Sequence, residues 1–536
     1  MGHSVVHPAL GLSVKGCSMS RILISVKTLR PWLAGASTAV VLVGCGGGSG
    51  DGEVPTQQTT PPVACTASPN AVVSSETYVP VRAAALFALQ STKPMPRRVA
   101  SPRTLSLPAL VETRSAQVLP NGVRQIGVAR SVAPTQTVKA TTSVLQWQPA
   151  DGGGTVAALR FQSAEARGIR LGLLVEALPA GATLRVYAQN SSAAAEVAGS
   201  TVLATLQRNQ DAGETGSAAH TYWMPGVDSD EVTLEVLLPA GTAPADVRVA
   251  VPSLSHLVES VRADEGANLL KVGESGACQV DVTCSATYSA ESNAVAKMVF
   301  VDAGRSYLCT GTLMNDATSS GTPYFLSANH CIASQTVAST LTTHWFYRAS
   351  ACNSNTLSPQ ARVLNGGATL LYASALTDTA FMRLNATPPA GVAYAGWSAS
   401  LPTVGGAAAG VHQPRGDLQK LSQGALQGFQ RCTPTASGDY ACQSAAADAA
   451  QHVAVGWTSG ATEAGSSGSG LFQTRNGGRY LVGQLTGGTS SCTMGTGVDY
   501  YGRFDVAYAA ALGQWLGATP ATGTCPATAV AARTPG

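Results

Sequence analysis

The chain has 536 residues, 45% of them hydrophobic and 12% charged, with a formal net charge of +3. That length allows two or three separately cored domains, and no Lys/Arg block gives a nucleic-acid partner an electrostatic footprint. The mix, with 57 glycines, suits β-rich exported proteins better than highly charged cytosolic helical ones.

In chain order, Arg21, Lys27 and Arg30 precede the apolar stretch 32–44, which is too short to cross a bilayer and reads as the h-region of a signal peptide. It ends in "LVGC", Leu42 to Cys45, which resembles a bacterial lipobox whose cysteine is lipidated. The distance from Met19 suits such a signal, so residues 1–45 are read as a leader whose true start is Met19. An ordinary secretory signal with a chance cysteine is the alternative. Residues 46–65 form a Gly/Pro/Thr linker.

Residues 66–135 show helical stretches and proline-rich breaks. From about 140 to 258, short apolar runs such as "ATLRVYAQ" and "EVTLEVLLP" alternate with Gly, Pro, Asn and Asp, the pattern of a β-sandwich. A connector containing Lys271 closes an N-terminal region, 66–271. Residues 272–520 again read as short strands with Gly-rich turns, and 521–536 as a disordered tail. Leaving out Cys17 and Cys45 of the leader, the remaining cysteines of an exported chain favour disulfides. The C-x5-C spacing of Cys278 and Cys284 is wrong for a zinc knuckle and no H-E-x-x-H occurs, so neither a metal nor a cofactor is expected.

The stretch "TEAGSSGSG", 462–470, could be a flexible linker or a loop carrying a nucleophile. A nucleophilic serine needs a base and a carboxylate to orient that base. No histidine follows Ser467, which excludes the α/β-hydrolase order and puts the base upstream. His330 ends the strand-like run "YFLSANHC", next to Cys331, and Cys309 lies in "YLCTGTLMN". A Cys309–Cys331 bond would anchor the base and stabilise the fold by about 3 kcal/mol on chain-entropy grounds. Among Asp378, Asp417, Asp439 and Asp448, Asp378 heads the alternating strand "DTAFMRL" and is the one a fold would bury.

The series "CTGTL", "SANHC", "TDTAF", "GSSGSGL" resembles the chymotrypsin-like serine peptidases, and more closely their bacterial lysyl endopeptidase branch. The C-x5-C pair, the Thr462–Ser469 loop, "GQLTGGTSSC" and "DYYGR" carry that likeness over residues 272–517. It implies an all-β fold, a double β-barrel peptidase domain preceded by a sandwich-like pro-region. It implies peptide hydrolysis through an acyl-enzyme, with His330, Asp378 and Ser467 as triad and the N–H groups of Gly465 and Ser467 as oxyanion hole. It further implies disulfides Cys278–Cys492, Cys284–Cys352 and Cys309–Cys331. Cys432 and Cys442 are additional and could close a hairpin of their own; Cys65 and Cys525 have no assigned partners.

Where animal trypsins carry the carboxylate of the primary pocket, this chain has Ala461; the likeness transfers that role to Asp499, with Thr486, Gly487 and Gly488 as pocket wall. Cleavage after lysine and self-processing at Lys271 follow as expectations. Two departures stand out: Thr486 replaces a frequent histidine, and Ser466 replaces the aspartate that in animal trypsins pairs with a new N-terminal ammonium. The expected partners are polypeptide substrates, the chain a monomer touching membrane only through a lipid on Cys45, at the cell surface or secreted. The alternatives are a weak or inactive homologue serving as a surface binding or adhesion module, or a sandwich that is the main functional part.

Overall fold

The computed structural model describes residues 70–78, 93–94, 102–110, 116–119, 122–151, 153–191, 193–260, 274–436, 439–493 and 497–517. Cys45, Cys65, Lys271 and Cys525 lie outside them, as do the leader, the linker and the tail.

The N-terminal region packs a four-stranded sheet against a seven-stranded one. The first runs in the order Thr221–Trp223, Gly168–Ala177, Arg248–Leu257, Gly127–Ser131. The second is built on Glu231–Leu238, flanked by Thr183–Tyr187 and Thr155–Ser163. Period-two alternation aims Val232, Leu234, Val236 and Leu238 into one apolar cluster shared with Ile169, Leu171 and Leu173 of the facing sheet. Strands Arg103–Leu107 and Gly127–Ser131 belong to this sandwich although their sequence reads as irregular, and the described part of 66–135 holds short strands where helical stretches were expected. These strands are short and pair with neighbours distant in sequence, so local pattern does not reveal them.

The C-terminal half holds two further sheets. A nine-stranded sheet centred on Val295–Asp302, Arg305–Met314 and Tyr324–Ala328 wraps a cluster that includes Met298, Phe325, Trp345 and the Cys309–Cys331 pair. The other closes on itself: Gly478–Gly488 pairs with both Gly470–Arg475 and Val498–Arg503, and the circuit continues through Ala407–His412, Lys420–Pro434 and His452–Ser459. Closure of this kind removes exposed sheet edges. The fold is all-β, a chymotrypsin-like double barrel.

The two halves are interwoven. Val72–Val73 pairs with Trp397–Ser398, and Arg124–Gln125 pairs antiparallel with Tyr307–Leu308. Four disulfides cross-link the C-terminal half, Cys278–Cys492, Cys284–Cys352, Cys309–Cys331 and Cys432–Cys442. None is present in the sandwich among the described residues.

Candidate active site

His330 follows the strand Tyr324–Ala328, and the bond from Cys331 to Cys309 ties its turn to the neighbouring strand. Asp378 stands immediately before the strand Thr379–Leu384, fully buried, with a left-handed φ of 49°. A non-glycine residue held there stores backbone strain, and its surroundings hold it firmly. Gln484 Nε2 donates to the carbonyl of Thr377 at 2.8 Å and to Thr379 Oγ1 at 3.0 Å. Gly502 permits this approach, since a Cβ there would lie 1.9 Å from the Thr377 oxygen.

Both carboxylate oxygens of Asp378 are used. Oδ1 accepts the His330 backbone N–H at 2.9 Å and Oδ2 accepts from Nδ1 at 2.7 Å. A carboxylate on Nδ1 fixes the tautomer with its proton there, so the lone pair is on Nε2. Nε2 is buried and has no hydrogen-bond partner among the described residues, Ser467 included. A ring held this way can take a proton from a hydroxyl that swings into reach.

Ser467 sits in the tight loop before the strand Gly470–Arg475. Its backbone hydrogen bonds are divided unevenly. The N–H groups of Ser466, Gly468 and Ser469 donate to the carbonyls of Glu463, Leu485 and Ser466. Those of Gly465 and Ser467 donate to nothing among the described residues. Meanwhile the carbonyls of the same two residues are held by Thr310, whose Oγ1 donates to Gly465 at 2.9 Å and whose N–H donates to Ser467 at 2.8 Å. Two adjacent, unpaired N–H groups on a fixed backbone can receive a developing oxyanion. Glycine is required at 465 and 468, where φ is 98° and 80° and a Cβ would press on Gln413 and Ser327.

Asp499 lies on the strand Val498–Arg503, opposite Gly488, and is wholly buried. Its Oδ2 accepts from Trp457 Nε1 at 2.6 Å, Thr462 Oγ1 at 2.7 Å and Ser490 Oγ at 2.6 Å. Burial pushes its carboxyl up, against the pull of the Ser490, Trp457 and Thr462 donors. No Lys or Arg pairs with it among the described residues. A Cβ on Gly488 would fall 2.3 Å from Asp499 Oδ1, whereas one on Gly487 meets nothing within 4 Å. Thr486 is buried at a register shift of the same strand, its Oγ1 without a partner among the described residues.

A segment of the N-terminal region covers this site. Gln117–Val118 and Arg124–Gln125 form a hairpin, and a Cβ built on Gly122 would lie 3.6 Å from Ser467 Oγ. Val123 is buried in the cluster that contains Cys309 and Cys331, and Arg124 pairs with Leu308, the residue before Cys309. Arg124 also pairs with Glu259 and Glu274.

Sequence reasoning missed Tyr440, whose ring stands 6.5 Å from that of His330; burial, with the Asp378 carboxylate nearby, pushes its hydroxyl up. Tyr440 belongs to the hairpin closed by Cys432–Cys442, the one signal that pointed to it. Thr310, His412 and Trp457 were also missed. Cys309, His330 and Cys331 bring possible ligand atoms within 4.8 Å of one another, but both sulfurs are in a disulfide and offer no thiolate.

Residues 272–502 match the model of the lysyl endopeptidase C-terminal domain, and residues 99–258 that of the lysyl endopeptidase N-terminal domain. A lysyl endopeptidase of Pseudomonas aeruginosa is 34% identical over 396 residues, covering 72% of this chain and 79% of the relative. Among solved structures, a protease of M. tuberculosis in its active form aligns at 15% identity and a TM-score of 0.29, over 49% of this chain and 96% of that one. The MamO protease domain of Magnetospirillum magneticum aligns at 11% identity and a TM-score of 0.28, over 42% of this chain and 98% of that one.

Proposed function

Because the chain belongs to the lysyl endopeptidase family and is a serine-type endopeptidase, we propose that it cleaves polypeptides after lysine, using Ser467, His330 and Asp378. Ser467 Oγ attacks the scissile carbonyl as His330 Nε2 takes its proton. The N–H groups of Gly465 and Ser467 receive the oxyanion. His330 then gives the proton to the leaving amine, and water, activated by the same ring, hydrolyses the acyl-enzyme and restores the serine.

The observation that carries the lysine preference is Asp499, a buried carboxylate with three side-chain donors and no cation of its own among the described residues. A lysine ammonium would supply the missing charge through charge-assisted hydrogen bonds. The bulkier planar guanidinium of arginine needs another donor geometry. Removing one partner of such a buried pair typically costs about 3–5 kcal/mol, or roughly two to four orders of magnitude in kcat/KM. The test compares wild type with Asp499→Asn on matched Lys, Arg and Leu substrates. Loss of the Lys reaction with Ser467 still titratable supports the reading; an unchanged Lys-to-Leu ratio removes Asp499 from the pocket.

The Gly122 hairpin favours a second reading, that the chain is made as an inhibited precursor. Arg124 and Gln125 pair antiparallel with Leu308 and Tyr307 on the strand that carries Cys309, and Gly122 lies over Ser467. The segment then turns back on itself, with the Gly122 N–H donating to Leu119, and Gly122 offers no side chain to the Asp499 pocket. It covers the nucleophile without being a substrate. Cleavage at Lys271 by the enzyme itself would free it, and the Ser467→Ala precursor would then stay uncut. The disulfides support export, with Cys45 as the lipid anchor of the precursor.

A further inference from the structure

Ser466 stands where a trypsin would hold an aspartate for its new N-terminal ammonium, so something else must fix the oxyanion loop. Ser466 is fully buried, and its Oγ lies 2.8 Å from His412 Nδ1. His412, also fully buried at the end of the strand Ala407–His412, reaches Ser422 Oγ through Nε2 at 2.9 Å. The far end of this chain of bonds sets its direction. Ser422 Oγ donates to the Ala461 carbonyl at 3.1 Å, so it must accept from His412 Nε2–H. Nδ1 is then an acceptor, and the Ser466 hydroxyl donates to it. Ser466 Oγ in turn accepts the Glu463 N–H at 3.2 Å. Every donor meets an acceptor, and only the neutral ring allows it. Burial, with Lys420 nearby, holds His412 down to about 3, so the ring stays neutral through the working range.

We infer that His412 is a positioning residue for catalysis: through Ser466 it holds Gly465 and Ser467 with their N–H groups aimed at the oxyanion, in place of an N-terminal salt bridge. The inference rests on Ser467 being the nucleophile. The two residues it orients flank Ser466 on either side, and Thr310 holds their carbonyls from the other barrel. Gln413, next to His412, donates its N–H to Thr310 Oγ1 at 3.2 Å, so the two anchors are themselves coupled. The loop is therefore built before any processing, and activation consists of clearing the cleft rather than ordering the hole.

The test uses the exported, processed enzyme and the variants Ser466→Ala, His412→Asn and the double variant. Rates are taken per active site from the burst of an acylating ester. Ser466→Ala removes a single oxygen and keeps the measurement meaningful if His412→Asn folds poorly. Loss of one oxyanion donor costs roughly 10²–10³ in kcat. Displacing rather than deleting the donors should lower kcat by about 10–10², with KM changed less than about threefold. Affinity for a peptide aldehyde, which forms a tetrahedral adduct, should fall by the same factor as kcat/KM. The double variant should be no worse than the poorer single one, because the two residues act as a unit. An unchanged kcat per active site in Ser466→Ala, or aldehyde affinity that stays at the wild-type level, would overturn the inference. If instead Ser467 were not the nucleophile, the burst would persist in Ser467→Ala, an outcome distinct from either.

Discussion

The floor beneath Ser467 and the cleft above it are treated in opposite ways. Below, Thr310, His412, Ser466 and Ser422 are buried and each has its polar atoms paired. Above, His330 Nε2, the N–H groups of Gly465 and Ser467, and the charge of Asp499 are left without a partner of matching kind among the described residues. Unpaired buried polar groups are costly, which fits the proposal that those facing the cleft are held for a substrate. The sandwich also buries a paired cluster, Arg185 with Glu196 and Glu235.

Substitutions in the cleft should have the largest effects. Ser467→Ala or His330→Ala should lower kcat by about 10⁴–10⁶, because triad members act together, while the four disulfides form as before. Near-wild-type turnover by Ser467→Ala would end the assignment. Next in size, replacing Cys309 and Cys331 by serine should cost about 3 kcal/mol of stability and loosen the turn that carries His330. Denaturant titration together with kcat reads both effects, and a variant with unchanged midpoint and rate would contradict the anchoring role.

The hairpin offers a smaller lever. In a Lys271→Ala precursor, Gly122→Val places a branched side chain at φ 78° against Ser467 Oγ. The strain costs about 1–2 kcal/mol, so Ser467 should react with a fluorophosphonate ~5–30 times faster. An unchanged labelling rate would show that the hairpin does not cover the nucleophile in solution. Acid gives the effect that builds most gradually. Burial lowers His412 to about 3 and His452 and His256 to about 4 from 6.5, with nearby positive charge adding to this for His412 and His256. Each folded pKa lies below its unfolded value, so the unfolded chain binds more protons and stability falls as pH drops from about 6.5 to 4. The loss is up to about 1.4 kcal/mol per pH unit for each ring. Stability that held constant or rose over that range, measured by thermal unfolding, would contradict the buried neutral rings.

The residues proposed to do the chemistry were legible because each lies in a short local motif: His330 beside a cysteine at the end of a strand, Asp378 at the head of an alternating strand, Ser467 between glycines that must turn. The sandwich was legible between 140 and 258, where apolar runs alternate with turn residues. What supports the site was not. His412 reaches Ser466 from another strand of the same sheet, and Thr310 reaches Gly465 from the other sheet, at separations no local pattern reports. Tyr440 stands beside His330 only because a hairpin folds over it. Gly122 is one glycine among 57, and its meaning depends on tertiary placement over Ser467.

A cleavage profile of the exported enzyme on an unbiased peptide library, read by mass spectrometry, tests the central claim most directly. Lysine is expected before nearly every cleaved bond in wild type, with that selectivity lost in Asp499→Asn. Cleavage after apolar or acidic residues in wild type, or a profile that Asp499→Asn leaves unchanged, would contradict it.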